Sequence, residues 1–218
     1  NDLLLRNTTL SSARSNVRID GIARNFMNVY FLDPGKVTFD WNIASSMIDL
    51  NEYRTFLSPR TKRTPASGKK QNHKIAKIAN RLELLLDKSN MYLHVNVNKL
   101  RYNRFEAQNI NADIDLTNTA IVLRNAKLQH AGGVLAANVH LNTSGKGTPF
   151  NISGKINNVK VDRLFYAFDE FGQTTLNHKH LQGTLSADID MRGAFGASGA
   201  LIRNSMNGKV SFQLNNGE

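Results

Sequence analysis

Three runs of alternating apolar and polar residues in the middle of the chain limit the folds that it can adopt. They lie at 91–98, 110–116 and 135–141, and in each run every second side chain is apolar. Because successive side chains of a β-strand point to opposite faces, each run buries one face and exposes the other to water. Short turns that contain Asn and Gly separate the runs. The sequence therefore predicts an antiparallel sheet with one apolar and one polar face.

The same pattern extends to both sides of these runs. We expect two or three short strands within 1–32, a strand at 37–43, and further strands at 181–191 and 210–214. The predicted fold is mainly β: an antiparallel, bent sheet of repeated strand hairpins with two or three short helices. Such a sheet forms either an open groove or, with a second sheet packed on it, a closed sandwich.

Two helix signals follow a strand in the same way. Asp49 stands three residues before Glu52, the spacing of a capping box, and predicts a helix from 49 to 57. Asp162 precedes a second apolar segment and predicts a short helix near 162–171. Strand, Asp and helix thus recur at an offset of 113 residues (49 to 162). We expect an internal duplication in which both carboxylates cap their helices.

The net charge of +11 is concentrated in one segment. Residues 54–104 hold 13 Lys and Arg against two acidic residues, whereas the remainder holds 15 of each and is neutral. Within the basic part, 58–90 begins as a polar loop rich in Pro and Gly and continues into an amphipathic helix. We therefore divide the chain into a first β unit (1–57) that ends in a short helix, the basic loop and helix (58–90), and a second β unit (91–218).

The basic loop allows two interpretations. A solvated loop accounts for most basic tracts, and attraction to phosphate on lipid headgroups or nucleic acid is the alternative. The residues that would contact anionic headgroups are Arg60, Lys62, Arg63, Lys69 and Lys70. Because the charge is local, we expect binding to anionic vesicles to be weak and salt-sensitive, and to depend on these residues.

No motif predicts catalysis or a resident cofactor. The chain has no Cys, so neither a disulfide nor a thiolate metal site can form. His178 and His180 lack a third ligand nearby, which favours a surface pair over a metal site. The basic and aromatic run at 101–105 would suit single-stranded nucleic acid, but packing at a turn explains it equally well. We expect a non-enzymatic protein without cofactor, metal ion, partnered acid and base, or nucleic acid partner.

A further pattern lies in the order of short motifs that combine glycines with apolar alternation. The motifs are 97–114, 128–135, Val161-Asp162 before a short apolar helix, 181–193, 206–212 and Asn216-Gly217. In this order they resemble the repeat region of AsmA-like proteins. The resemblance covers about 91–217 well and 1–57 loosely, and it does not include the basic loop at 58–73.

The resemblance implies a bacterial envelope protein with its body in the periplasm and an N-terminal helix, outside this sequence, in the inner membrane. It also implies a relation to bridge-like lipid-transfer proteins, whose long, bent sheets shield acyl chains on an apolar face. We therefore expect a segment of a longer protein that binds phospholipid or another acyl-chain lipid and takes part in lipid transport or outer-membrane maintenance. The alternative is a scaffold that supports outer-membrane protein assembly and binds no ligand.

A lipid groove would require partly accessible apolar side chains on one concave surface. The candidates are Val95, Val97, Ile114, Leu116, Val139, Leu141, Leu185 and Ile189. Burial of each acyl methylene contributes about 0.8 kcal/mol, which is enough to hold a lipid without specific contacts. If a second sheet covers the same side chains, they form a closed core instead.

Overall fold

All strands of the described chain belong to one sheet. The computed structural model describes residues 2–29, 34–53, 88–145, 147–172, 174–196 and 199–217. The strands are β1 (Leu3–Ser11), β2 (Asn16–Arg24), β3 (Thr38–Asp49), β4 (Asn90–Tyr102), β5 (Phe105–Leu116), β6 (Ala120–His130), β7 (Gly133–Asn142), β8 (Thr148–Lys160), β9 (Thr184–Phe195) and β10 (Asn207–Asn215). They lie side by side in chain order. The prediction of a mainly β protein is therefore confirmed.

The pairing is antiparallel throughout, except between β3 and β4. A parallel pair requires a long connection, and the segment between Asp49 and Asn90 is the longest in the chain. The pair joins strands from the first and second predicted β units, so both units contribute to one sheet. No second sheet lies among the described residues. Of the two predicted arrangements, this part of the chain shows the single sheet and not the sandwich.

Asparagines with positive φ mark irregularities in several strands. They are Asn7 in β1, Asn109 in β5, Asn125 in β6 and Asn158 in β8, and each coincides with a shift in strand register. Asparagine adopts this left-handed conformation more readily than most residues. The additional residue of a bulge shifts the alternation by one position. This shift compensates for the one-residue shift in the sequence pattern, so apolar residues stay on one face.

Side chains of the neighbouring strands complete the hydrogen bonding at these bulges. The backbone N–H of Asn125 donates to Asn138 Oδ1 at 2.9 Å. In the same way, the N–H of Asn158 donates to Ser186 Oγ at 3.1 Å. Both contacts are exposed to solvent, so each replaces a hydrogen bond to water and joins the bulge to the neighbouring strand.

One α-helix, α1 (Val161–Ala167), lies within the described residues, where two or three short helices were expected. It lies close to the predicted position and is followed by a turn at Asp169–Gly172 whose backbone is left-handed, with positive φ at Asp169, Glu170 and Phe171. The predicted cap is wrong: Lys160 is the N-cap residue, and no side chain caps the helix. Asp162 lies inside the first turn and pairs with Arg163 at 3.5 Å. Its carboxylate therefore has a local role on the surface.

The predicted helix at 49–57 begins with a 3-10 turn, Leu50–Tyr53, and residues 54–57 lie outside the described part. Asp49 is the last residue of β3, and its side chain is 1% exposed. Its Oδ1 accepts hydrogen bonds from the backbone N–H and the side-chain Nδ2 of Asn51, at 3.0 and 2.7 Å. The bond from the Asn51 N–H is that of an N-cap residue, so the predicted cap at Asp49 is confirmed. Because Asp162 caps nothing, the two copies do not match and the duplication loses its support.

Candidate functional site

The cross-strand register brings the apolar side chains of successive strands onto one side of the sheet, which we call the apolar face. Residues that pair directly across two strands point to the same side. Ile114 of β5 pairs with Leu93 on one side and with Leu123 on the other. Leu123 in turn pairs with Val139 of β7. Equivalent pairs continue across the sheet, so the face crosses from strand to strand without interruption.

All of the predicted groove candidates lie on the apolar face. They are Val95, Val97, Ile114, Leu116, Val139, Leu141, Leu185 and Ile189. Except for Val97, these side chains are half-buried. Val97 is 1% exposed because it packs with Ala107 and Ile110 in a core cluster. The expected accessibility is therefore wrong for Val97.

Sequence reasoning missed the most accessible part of the apolar face. On β10, Val210 is 52%, Phe212 73% and Leu214 45% exposed. These residues pair with Ile189, Ala187 and Leu185 of β9, which places them on the same face. The alternation at 210–214 identified the strand. It could also have identified these side chains as candidates, since their spacing matches that of the predicted ones.

Two shallow hollows lie on the opposite side of the sheet, which we call the polar face. The larger, of about 780 Å³, is lined by Lys127, Lys155 and Lys209 among other residues. The smaller, of about 350 Å³, includes Arg18 and His94. Charged and amide side chains lie among small apolar ones, such as Ala136, in the lining of the larger hollow. The concave shape expected of the apolar face stays a prediction.

The smaller hollow contains an acid–base pair that the sequence did not predict. His94 Nδ1 lies 2.8 Å from Asp113 Oδ1, and Asn125 Nδ2 donates to Asp113 Oδ2 at 3.2 Å. The hydrogen bond from His94, followed by that from Asn125, holds the pKa of Asp113 below its ordinary value. A carboxylate with a lowered pKa is a weak base at neutral pH. The pair is therefore better suited to joining β4 and β5 than to proton transfer.

A second pair lies beyond α1. His178 Nδ1 is 2.5 Å from Glu170 Oε1, and the backbone N–H of His178 donates to Glu170 Oε2 at 2.9 Å. Burial raises the pKa of Glu170, but the hydrogen bonds from His178 outweigh burial, and the pKa lies below its ordinary value. His178 is thus engaged with a carboxylate rather than paired with His180. The described residues contain no group of three or more His, Cys, Asp or Glu placed to hold a metal ion.

The basic and aromatic run at 101–105 packs against α1 and the turn that follows it. The Arg104 guanidinium lies 5.0 Å above the centre of the Tyr166 ring and pairs with Asp169 at 3.0 Å. Phe105 stacks on His130, with 4.7 Å between ring centroids. The turn-packing interpretation is therefore confirmed for Arg104 and Phe105.

The anionic-headgroup candidates are not placed by the structure. Arg60, Lys62, Arg63, Lys69 and Lys70 lie outside the described residues, so their contact with lipid headgroups stays a prediction. In the part of the chain that is described, no helix is both long and apolar enough to cross a membrane.

Comparison with known families extends the resemblance seen in the sequence. The AsmA family profile matches residues 25–218, which includes most of the sheet and the segment between β3 and β4. No curated protein and no solved structure shows significant similarity to the chain. The family match is consistent with a role associated with the cell envelope. Since the match covers most of its length, this chain belongs to the AsmA family.

Proposed function

We propose that the apolar face binds the acyl chains of phospholipid or a similar lipid, and that the protein serves lipid transport between membranes or maintenance of the outer membrane. The observation that carries this proposal is the exposed apolar surface of β10, continuous with the rest of the apolar face. Contiguous apolar surface in contact with water is characteristic of binding sites. An acyl chain has no polar group to satisfy, so it suits a surface made of aliphatic and aromatic side chains.

The dimensions of the sheet support this proposal. Neighbouring strands lie about 4.8 Å apart, so ten strands extend about 43 Å across. This is more than the hydrocarbon core of a bilayer, which is about 30 Å thick. At this width, a lipid on the apolar face can move past several strands while its methylenes stay in contact with apolar side chains. Each methylene removed from water contributes about 0.8 kcal/mol.

The proposal is non-enzymatic and places the sheet in the periplasm, where a lipid needs protection from water. Anchoring to the inner membrane would come from an N-terminal helix outside this sequence. Headgroup contacts would be secondary, because the apolar face recognises only the acyl part. Such a surface favours binding of many acyl-chain lipids with little discrimination among headgroups.

A scaffolding role is the second candidate function, and the edge position of β10 favours it. Residues 207–214 are exposed, and among the described residues β10 pairs only with β9. An edge strand offers unpaired backbone groups to a strand of another protein. Support of outer-membrane protein assembly could use this edge without any lipid. The two functions differ in whether lipid co-purifies with the protein.

Neighbouring substitutions on β10 test the proposed lipid site. Phe212→Asp places a carboxylate on the apolar face, whereas Gln213→Asp places one on the polar face of the same strand. Because both positions are exposed, neither change should reduce the free energy of unfolding by more than about 0.5 kcal/mol. Native mass spectrometry of protein purified from cells should show bound phospholipid in the wild type and in Gln213→Asp, with a marked loss in Phe212→Asp.

Two results would contradict the lipid site. One is a wild-type protein that carries no lipid after gentle extraction, which would favour the scaffold. The other is equal lipid content in both variants, which would move the site away from β10.

A further inference from the structure

A cluster of exposed, mostly aromatic side chains lies at the end of the sheet where β8 leads into α1. Its members, which we call the aromatic tip, are Tyr166 (40% exposed), Phe168 (44%), Phe171 (55%) and Leu176 (50%). Phe168 and Phe171 stack with their ring centroids 5.4 Å apart and an interplanar angle of 13°. Large apolar side chains that are grouped and exposed mark a contact surface.

The aromatic tip is continuous with the apolar face. Phe168 lies 5.4 Å from Phe105, measured between ring centroids. Phe105 in turn packs against the buried cluster of Val97, Ala107 and Ile110. An apolar path therefore leads from the interior of the apolar face to the exposed rings at its end.

The backbone after α1 holds Phe171 in place by an unusual conformation. Asp169, Glu170 and Phe171 all have positive φ, of 52°, 55° and 53°. Such a conformation is uncommon for a bulky residue and needs support from its surroundings. Asp169 pairs with Arg104 and Glu170 with His178. These contacts fix the turn and keep the Phe171 ring exposed.

The charge around the aromatic tip indicates what kind of surface it fits. Residues 160–181 hold three Lys or Arg and three acidic side chains, and with His counted as neutral the segment has no net charge. Arg104 adds one positive charge from outside the segment, and it is paired with Asp169. Attraction to nucleic acid or to an acidic protein has no basis in such a segment. Tyr and Phe beside Arg and Lys are instead typical of the interface between lipid headgroups and acyl chains.

We propose that the aromatic tip docks the sheet on a lipid bilayer, with Phe168 and Phe171 inserted below the headgroups. Lipid would then pass between the bilayer and the apolar face along the path through Phe105. This proposal rests on the proposed lipid-binding function for its purpose, but docking itself can be measured separately. It differs from attraction through the basic loop, because apolar insertion does not depend on anionic lipid or on low salt.

Phe171→Asn tests the docking site, since Asn removes the ring and is compatible with positive φ. Phe212→Asn is the matched control, because it removes an exposed ring from β10 instead. Binding is measured by sedimentation with phosphatidylcholine vesicles in about 0.5 M NaCl, where attraction between exposed charges is screened. Lipid carried by each purified variant is measured by native mass spectrometry.

We expect the wild type and Phe212→Asn to bind vesicles and Phe171→Asn to bind about tenfold more weakly, given the apolar area of one ring. Phe171→Asn should keep its co-purified lipid, whereas Phe212→Asn should lose part of it. Absence of wild-type binding, or equal binding by all three proteins, would overturn the docking proposal. Loss of vesicle binding in Phe171→Asn without lipid in any protein would uphold docking and contradict the lipid site.

Discussion

Strands β4 and β10 both alternate apolar and polar residues, yet the apolar side chains of β4 are buried or half-buried, whereas those of β10 are exposed. On β4, Val97 is 1% exposed and packs with Ala107 and Ile110. On β10, Phe212 is 73% exposed. Alternation thus identifies which face of a strand is apolar, but it does not show whether that face is covered.

Their positions in the sheet explain part of this difference. Strand β4 lies between β3 and β5, and side chains join it to its neighbours on the polar face as well, as with His94 and Asp113. Within the described part of the chain, strand β10 is at the edge of the sheet and pairs only with β9. A strand fixed on both sides contributes to the stability of the fold. An edge strand with exposed rings has surface available for binding.

The largest effect on stability is expected from a charge among the buried side chains around Val97, which we call the covered region. Val97→Asp buries a carboxylate with no partner, so the free energy of unfolding should fall by roughly 3–5 kcal/mol or the protein should fail to fold. Asn96→Asp is the control, because the adjacent side chain is exposed on the polar face. Urea denaturation followed by circular dichroism measures both. If the two variants were equally stable, β4 would not differ from β10 in the way described above.

An intermediate effect is expected at Ile114, which is half-buried on the apolar face. Ile114→Asp should cost about 1–3 kcal/mol of stability, since water can still reach part of the new carboxylate. If acyl chains lie on this part of the face, the variant should lose bound lipid while it stays folded. Ile114→Asn serves as the control, because it removes the apolar side chain without adding a charge.

The result at Ile114 distinguishes a binding surface from a closed core. Loss of lipid with a retained fold would show that the binding surface extends from β10 to β5. Collapse of the fold, together with a wild type that never carries lipid, would contradict a lipid-binding face. The measurements are the midpoint of thermal unfolding and the lipid content by native mass spectrometry.

The faces of the sheet were predictable because they depend on local alternation. Ile114 and Ile189 lie seventy-five residues apart in the sequence (114 to 189), yet both were assigned correctly to one face. Alternation survives in the fold because bulges at asparagines such as Asn125 restore the phase where the sequence shifts it. The position of these bulges was not predicted, since Asn is equally common in turns.

Features that depend on distant contacts were not predictable. The burial of Val97 depends on Ala107 and Ile110 of the neighbouring strand. The role of Asp49 depends on Ser15 and the turn between β1 and β2, since the Asp49 N–H donates to Ser15 Oγ at 2.9 Å. No short-range pattern contains that information. The sequence predicts a helix at the aromatic tip. It does not predict that the rings are exposed, because their exposure depends on the left-handed turn after α1.

The smallest effect is expected on the polar face of the covered region, where His94 contacts Asp113. Because the pKa of Asp113 is lowered in the folded protein, its contribution to stability is present above the ordinary pKa of Asp, about 4, and is lost as the pH falls through the lower folded value. His94→Ala removes the largest cause of the shift, so the pKa of Asp113 should rise towards its ordinary value.

Carboxyl ¹³C NMR titration measures the pKa of Asp113 directly. His140→Ala, which removes another exposed histidine, is the control. Stability at neutral pH should change by no more than about 0.5 kcal/mol, since an exposed hydrogen bond contributes little. An unchanged pKa of Asp113 would mean that the hydrogen bond from His94 does not lower it. Contacts on the polar face would then not contribute to the difference between β4 and β10.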